Sequence, residues 1–280
     1  MTGSGSVDTE DPWILAERFS ERLAGVLGDI LSDVLVVGSA TLDDWRMGSD
    51  VDLVCVVARD LDDYHCGAIS PLHAGSKEEY RHTIDAIYVT RDCLAKGPGS
   101  AASAVESVAG VVDAESVGGQ LNWVTWLNIL QCGVRVDFAT GERVRPVRPE
   151  DSGILVAEEE VREGAVRFSS VNLDSYWRGR AKLSEQLYLS TGAENPIPAF
   201  EIEWMSLGPA RLLATVLTGR VVSKSAGGEA AACRFPRFQE HLERVLRARA
   251  QPESDSVWDR DDLRHSLDLA RECVEVGTAN

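Results

Sequence analysis

Apolar residues recur along the first third of the chain in two rhythms. Leu15, Phe19, Leu23, Val26 and Ile30 return every three or four residues, the spacing of one helix face. Asp11-Pro12 stands just before them, an N-cap followed by the residue best tolerated at the first helical position. A helix is therefore predicted from there to about Leu31. The rhythm then shortens. "DVLVV" (33–37), "DVDLVCVV" (50–57) and "TIDAIYVT" (83–90) are short runs rich in β-branched residues and read as strands, and "GVRVDFAT" (133–140) reads as a fourth, after a helix near Leu121–Gln131. Residues 96–119 are rich in Gly, Ala and Ser. They read as a mobile loop or as a weak helix, and the pattern does not choose between them.

"RPVRPEDSG" (145–153) has no periodicity and carries two prolines, so it is taken as a linker. Beyond it strand signals nearly stop, and helices are predicted over 173–190, 199–219, 228–250 and 261–277. Gly219 and Gly277 fall where C-terminal caps belong, and Pro209 is expected to bend or interrupt its helix. The prediction is an α+β chain in two parts: an N-terminal α/β domain with a mixed sheet (1–150) and an all-helical C-terminal domain (151–280).

Composition narrows the function classes. The net charge is −17 and no Lys/Arg cluster stands out, which argues against a partner held by its nucleic-acid backbone, so no DNA is expected. No apolar run reaches 18 residues, and the N-terminus is polar and acidic. No membrane association and a cytoplasmic location are therefore expected. The six cysteines are scattered without a CxxC, as reduced thiols would be. His65-Cys66 is a local pair without a second half.

The chemistry concentrates in "VVGSATLDDWRMGSDVDLVCVV" (36–57). On a strand, residues i and i+2 share a face, so Asp50 and Asp52 project together. Like charges that close repel unless a cation joins them or one takes up a proton. Magnesium accepts such carboxylates together with phosphate oxygens. Gly38 lets a backbone approach closely, and Ser39 offers a hydroxyl and an N–H to a phosphate. Taken alone, an Asp-x-Asp is more often a cap or a solvated edge. A third carboxylate is offered by Asp85 on the strand over 83–90, with Asp137 in "VRVDFA" as the competitor.

The surrounding pattern adds a resemblance. An apolar strand, Gly38-Ser39, nine intervening residues and then Ser49-Asp50-Val51-Asp52 on the next strand resembles the nucleotidyltransferase superfamily that includes DNA polymerase beta. "SLGPARLLATVLTGRVVSKSAGGEAA" (206–231) resembles the helical domain of the aminoglycoside nucleotidyltransferases that adenylylate streptomycin and spectinomycin. The resemblance implies a nucleotidyltransferase domain followed by a helical bundle, with Mg²⁺ held by Asp50, Asp52 and Asp85. It implies ATP as co-substrate, contacted by Gly38, Ser39, Ser49, Arg211 and Lys224, and Asp85 as catalytic base. The acceptor would be a small cationic molecule of the aminoglycoside type, met by Trp123 or Trp126 and by Glu201, and a monomer is expected. The family has Glu as its third acidic residue; Asp85 is one methylene shorter. Two other readings stand beside this one: a nucleotidyltransferase that modifies a protein or RNA, and a non-catalytic nucleotide-binding protein.

Overall fold

The computed structural model describes residues 11–46, 48–117, 119–136, 145–190, 197–251 and 257–279. The chain divides into two compact units, Met1–Glu158 and Glu159–Asn280.

The first unit is built on one mixed sheet. Helix α1 (Pro12–Leu27) starts as its sequence predicts: the Asp11 side chain accepts from the Trp13 N–H, and Pro12 opens the first turn. Strands β1 (Leu31–Val37) and β2 (Val51–Val57) pair antiparallel, and helix α2 (Asp63–Tyr80) leads to β3 (Ile84–Thr90), which lies parallel to β2. After helix α3 (Arg91–Lys96), strands β4 (Ala104–Val108) and β5 (Val111–Ser116) add an antiparallel hairpin. Helix α4 (Trp123–Cys132) and two short strands, β6 (Val134–Arg135) and β7 (Arg145–Pro146), complete the order β5-β4-β3-β2-β1-β6-β7. One sheet face, with Val34, Val36, Leu53, Cys55, Ile84 and Ala86, packs against Leu15, Phe19 and Leu23 of α1 and Ile69 of α2.

Two predictions for this unit are corrected. The stretch 96–119, expected as a loop or a weak helix, holds α3's last residue, a 3₁₀ turn at Pro98–Ser100 and the β4–β5 hairpin, whose two-residue turn is Ala109-Gly110 with φ of +52° and +83°. Positive φ at both positions matches a turn with the twist of a hairpin, and Gly110 supplies half of it without strain. Helix α2 has no counterpart in the prediction. Its buried positions do follow the 3.6-residue period, but they are His65, Cys66, Ile69, His73, Ser76 and Tyr80, so half of the stripe is polar, and Pro71 lies within the helix. Of the predicted strand over 133–140, Val134–Arg135 pair in a ladder; Asp137 lies outside the described residues.

The second unit is all helical: α5 (Glu158–Asn172), α6 (Arg178–Ser184, flanked by π-helical turns over Leu173–Trp177 and Glu185–Leu189), α7 (Ala199–Thr218), α8 (Lys224–Arg234), α9 (Gln239–Ala250) and α10 (Arg260–Thr278). Its core gathers Ile202, Met205, Leu213, Leu242, Leu267 and Cys273. Helix α7 continues through Pro209, so of the expected bend or interruption the second does not occur. Gly219 caps α7 in the left-handed conformation (φ +64°), its N–H on the Thr215 carbonyl. Gly277 is not a cap: it lies inside α10, where a Cβ would overlap Leu173. The helix predicted over 228–250 is two helices, split at Pro236–Phe238. Phe235, forced extended by the proline that follows, breaks the first (φ −121°, ψ 74°). Helix α5 went unread because only Val161, Gly164, Ala165 and Ser169 form its buried face.

Candidate active site

Strand β1 ends in a 3₁₀ turn, Gly38–Leu42. Gly38 has a φ of +73°, and a Cβ there would overlap Oδ2 of Asp52. No other residue both takes this conformation cheaply and leaves space for that carboxylate. The turn is tied at both backbone groups. The Gly38 N–H donates to Asn128 Oδ1 of α4 (2.9 Å), and the Thr41 hydroxyl donates to the Gly38 carbonyl (3.0 Å).

Ser49 is held from three sides. Its Oγ accepts from the Arg46 N–H (3.1 Å), its own N–H donates to the Arg46 carbonyl (2.8 Å), and His82 Nδ1–H donates to the Ser49 carbonyl (2.9 Å). With its oxygen accepting from the backbone, the hydroxyl proton points elsewhere.

Asp50 sits just before β2 and accepts from the Thr83 hydroxyl (2.5 Å). Asp52 and Asp85 are cross-strand partners on parallel β2 and β3, so the register places their side chains next to each other on one face. Glu106 of β4 stands opposite Ile87, two residues beyond Asp85, which puts it on the same face. The Ala109 N–H, at the tip of the hairpin, donates to Asp85 Oδ1 (2.8 Å). Gln120 Nε2 lies 3.5 Å from Asp52 Oδ1.

Asp85 is buried, and burial pushes its carboxyl up to about 6; the charge of Asp50 adds to the rise, the Ala109 N–H opposes it, and Glu106 adds a little more. Among the described residues no Lys or Arg forms an ion pair with Asp50, Asp85 or Glu106. Carboxylates gathered without a cation raise each other's proton affinity, and a divalent ion would relieve that.

The donors suit magnesium in kind, since it takes hard oxygens. They suit it less in number. Among the described residues no three or more His, Cys, Asp or Glu side chains form a group able to hold one ion. Magnesium is commonly held by one or two carboxylates, with phosphate oxygens and water completing its shell, and Asp50 with Asp52 meets that lesser requirement.

The remaining predicted residues lie as follows. Trp126 is wholly buried, its Nε1–H on the Leu94 carbonyl (2.9 Å). Trp123, at the first turn of α4 after the Asn122 cap, is half-buried, and its ring lies where a Cβ on Gly97 would be. In the second unit, Lys224 opens α8 behind the Ser223 cap, whose Oγ accepts from the Ala226 N–H (3.1 Å). Lys224 Nζ stands 3.6 Å from Glu203, which also binds Arg249 (2.5 Å). Arg211 on α7 is exposed, and α8 crosses its backbone so closely that a Cβ on Gly227 would stand 2.6 Å from Arg211 Cα. The pair of helices thus brings Arg211 within about one turn of Lys224. Glu201 is fully buried, one oxygen on Arg180 (2.6 Å) and the other on the Ser184 hydroxyl. A ligand could reach it only by displacing one of them.

Sequence reasoning missed Thr83, Glu106, Gln120 and Asn128. Glu106 had a signal, the alternation of "AVESV" around a lone acidic residue. Asn128, inside the apolar run "WLNIL", was a second: a buried amide needs a partner, and here it is the Gly38 N–H.

No family model matches the sequence, and no curated protein matches it. Among solved structures, the chain is similar to the crystal structure of the spectinomycin adenyltransferase AAD(9) from Enterococcus faecialis with ATP and spectinomycin. The TM-score is 0.58 and the identity 14%, over 92% of this chain and 97% of that one. At such identity the likeness is one of fold, and it extends over both units: the chain has an aminoglycoside nucleotidyltransferase-like α+β fold.

Proposed function

We propose that the protein is a magnesium-dependent nucleotidyltransferase that moves AMP from ATP to a hydroxyl of a small cationic acceptor, with spectinomycin and streptomycin as the first candidates. The observation that carries this reading is the single sheet face on which Asp52 and Asp85 are cross-strand neighbours, with Asp50 two residues before Asp52 and Gly38 pressed against the Asp52 carboxylate. The fold shared with an enzyme solved with ATP and spectinomycin supports it.

Asp50 and Asp52 would hold the magnesium ion, which when bound neutralises charge on the phosphates. Ser39 offers a backbone N–H and Ser49 a hydroxyl proton to phosphate oxygens, while Gly38, its own N–H held by Asn128, lets the backbone come close. Within the second unit, Arg211 and Lys224 offer positive charge to an anion, and Lys224 does so at a helix start, where the dipole also favours one. Asp85 takes the proton of the acceptor hydroxyl. A carboxyl whose pKa is raised to about 6 is a stronger base than an ordinary aspartate and is still ionised at neutral pH. The freed oxygen then attacks the α-phosphorus, the bond to the bridging oxygen breaks, and pyrophosphate leaves. The net charge of −17 favours a cationic acceptor, and Trp123, half-exposed near α3, is the better placed of the two tryptophans to touch it.

The test is to incubate the protein with ATP labelled at the α-phosphate, Mg²⁺ and each drug in turn. A drug-AMP adduct by mass, with one pyrophosphate released per adduct, is expected. ATP consumed with label on protein and none on any drug would replace this reading with the protein-modifying one.

A further inference from the structure

The β4–β5 hairpin and the segment after it fold around one buried carboxylate. Glu106 is 4% exposed and has no cationic partner among the described residues. It accepts instead from the Ser116 hydroxyl (2.5 Å) and the Gln120 N–H (2.5 Å). Gly119, with φ +50°, lies so close that a Cβ would overlap the carboxylate. Only glycine lets the chain close over it. This closure turns residues 119–120 back across the sheet face that carries Asp85 and Asp52. There Gln120 Nε2 reaches Asp52 Oδ1, while Gly38 confines Oδ2 of the same side chain.

We propose that Gln120, anchored through its main chain by Glu106, is a positioning residue that fixes the Asp52 side chain between its own amide and Gly38. The proposal rests on the reading of Asp52 as a metal carboxylate. A purely structural role for this segment would need only the Glu106 bonds. It would not explain why the Gln120 side chain is turned to Asp52, nor why its Oε1 is buried there without a donor among the described residues. A buried amide oxygen left unpaired is unfavourable unless a ligand or a coordinated water supplies the missing proton. The hairpin serves the neighbouring strand as well, since the Ala109 N–H at its other end holds Asp85.

The experiment measures Mn²⁺ binding by electron paramagnetic resonance in the presence of a non-hydrolysable ATP analogue, for the wild type, Gln120→Ala and Glu106→Gln. Gln120→Ala keeps the main-chain bond to Glu106, so its circular dichroism and thermal transition should match those of the wild type. Its Mn²⁺ affinity should fall about 10- to 100-fold, the range found when a group behind a metal ligand is removed. Glu106→Gln should weaken Mn²⁺ binding in the same direction. In turnover, the Mg²⁺ concentration for half-maximal rate should rise, with much of kcat recovered at saturating Mg²⁺. A wild type that binds Mn²⁺ together with a Gln120→Ala that binds it equally well would overturn the positioning role alone. A wild type that binds no Mn²⁺ with the nucleotide would overturn the metal reading of Asp52 and this inference with it.

Discussion

Asp85 shows what burying a single carboxylate costs. Burial and the nearby Asp50 raise its carboxyl to about 6 from an ordinary value of 3.8. A carboxyl whose folded pKa lies above its unfolded one stabilises the fold fully below the unfolded pKa, and loses that contribution as pH rises through the folded value. In the metal-free protein at pH 7.5, Asp85 is therefore ionised at a cost to stability of the order of 1–3 kcal/mol. Asp85→Asn should remove that cost. Its midpoint in urea should exceed the wild type's at pH 7.5, and the two should converge below about pH 4. Mg²⁺ with ATP should narrow the difference at pH 7.5, because a cation offsets the charge. A variant less stable than the wild type at every pH would show that Asp85 is held by its Ala109 bond more than it is strained by its surroundings.

At the scale of elements, the pair α7 and α8 sets Arg211 beside Lys224 through a glycine contact. A Cβ on Gly227 would stand 2.6 Å from Arg211 Cα, closer than real Cβ atoms approach backbone. Gly227→Ala should therefore destabilise the second unit by about 1–3 kcal/mol, read as a lower thermal midpoint, although alanine is the better helix former. Lys224→Ala leaves the packing alone. If Lys224 meets a phosphate, its removal should weaken ATP binding in calorimetry by about 1.5–3 kcal/mol; unchanged affinity would leave it a partner of Glu203 only. The elements legible in the sequence were those whose burial is apolar and periodic. Helix α1 and strands β1, β2 and β3 carry Leu, Val, Ile and Phe at the right spacing, and Asp50 with Asp52 stood out because charge is rare at the mouth of such a strand. What stayed hidden had polar burial or depended on contacts distant in sequence. Helix α2 buries two histidines, and the β4–β5 hairpin turns at an alanine in a glycine-like conformation. Glu106 meets Gly119 and Gln120, and Asn128 meets Gly38, only once the sheet is assembled.

For the whole molecule, acid should be the effective denaturant. His73 of the first unit and His241 of the second are both pressed to about 4, each chiefly by burial, with the charges of His265 and Arg244 adding for His241. His73 keeps its place as a neutral ring between the Ile84 carbonyl (3.0 Å) and the Tyr88 hydroxyl (2.7 Å). A histidine with a folded pKa below its unfolded value of about 6.5 stabilises the fold fully above 6.5 and loses that contribution as pH falls toward 4. Up to about 3 kcal/mol per histidine is at stake. Urea midpoints should thus fall steadily between pH 6.5 and 4, and His241→Gln should lessen the slope; an unchanged slope would show that His241 titrates freely. Asp50 and Asp52 are proposed as the metal-dependent centre of AMP transfer, and single-turnover transfer of labelled AMP to spectinomycin tests that role. It compares the wild type with the Asp50→Asn/Asp52→Asn double variant at saturating Mg²⁺. The wild type should form the adduct, and the variant should lose on the order of 10³-fold or more in rate, equivalent to about 4 kcal/mol of transition-state stabilisation, with circular dichroism unchanged. Adduct formed at the wild-type rate by the folded double variant would contradict it.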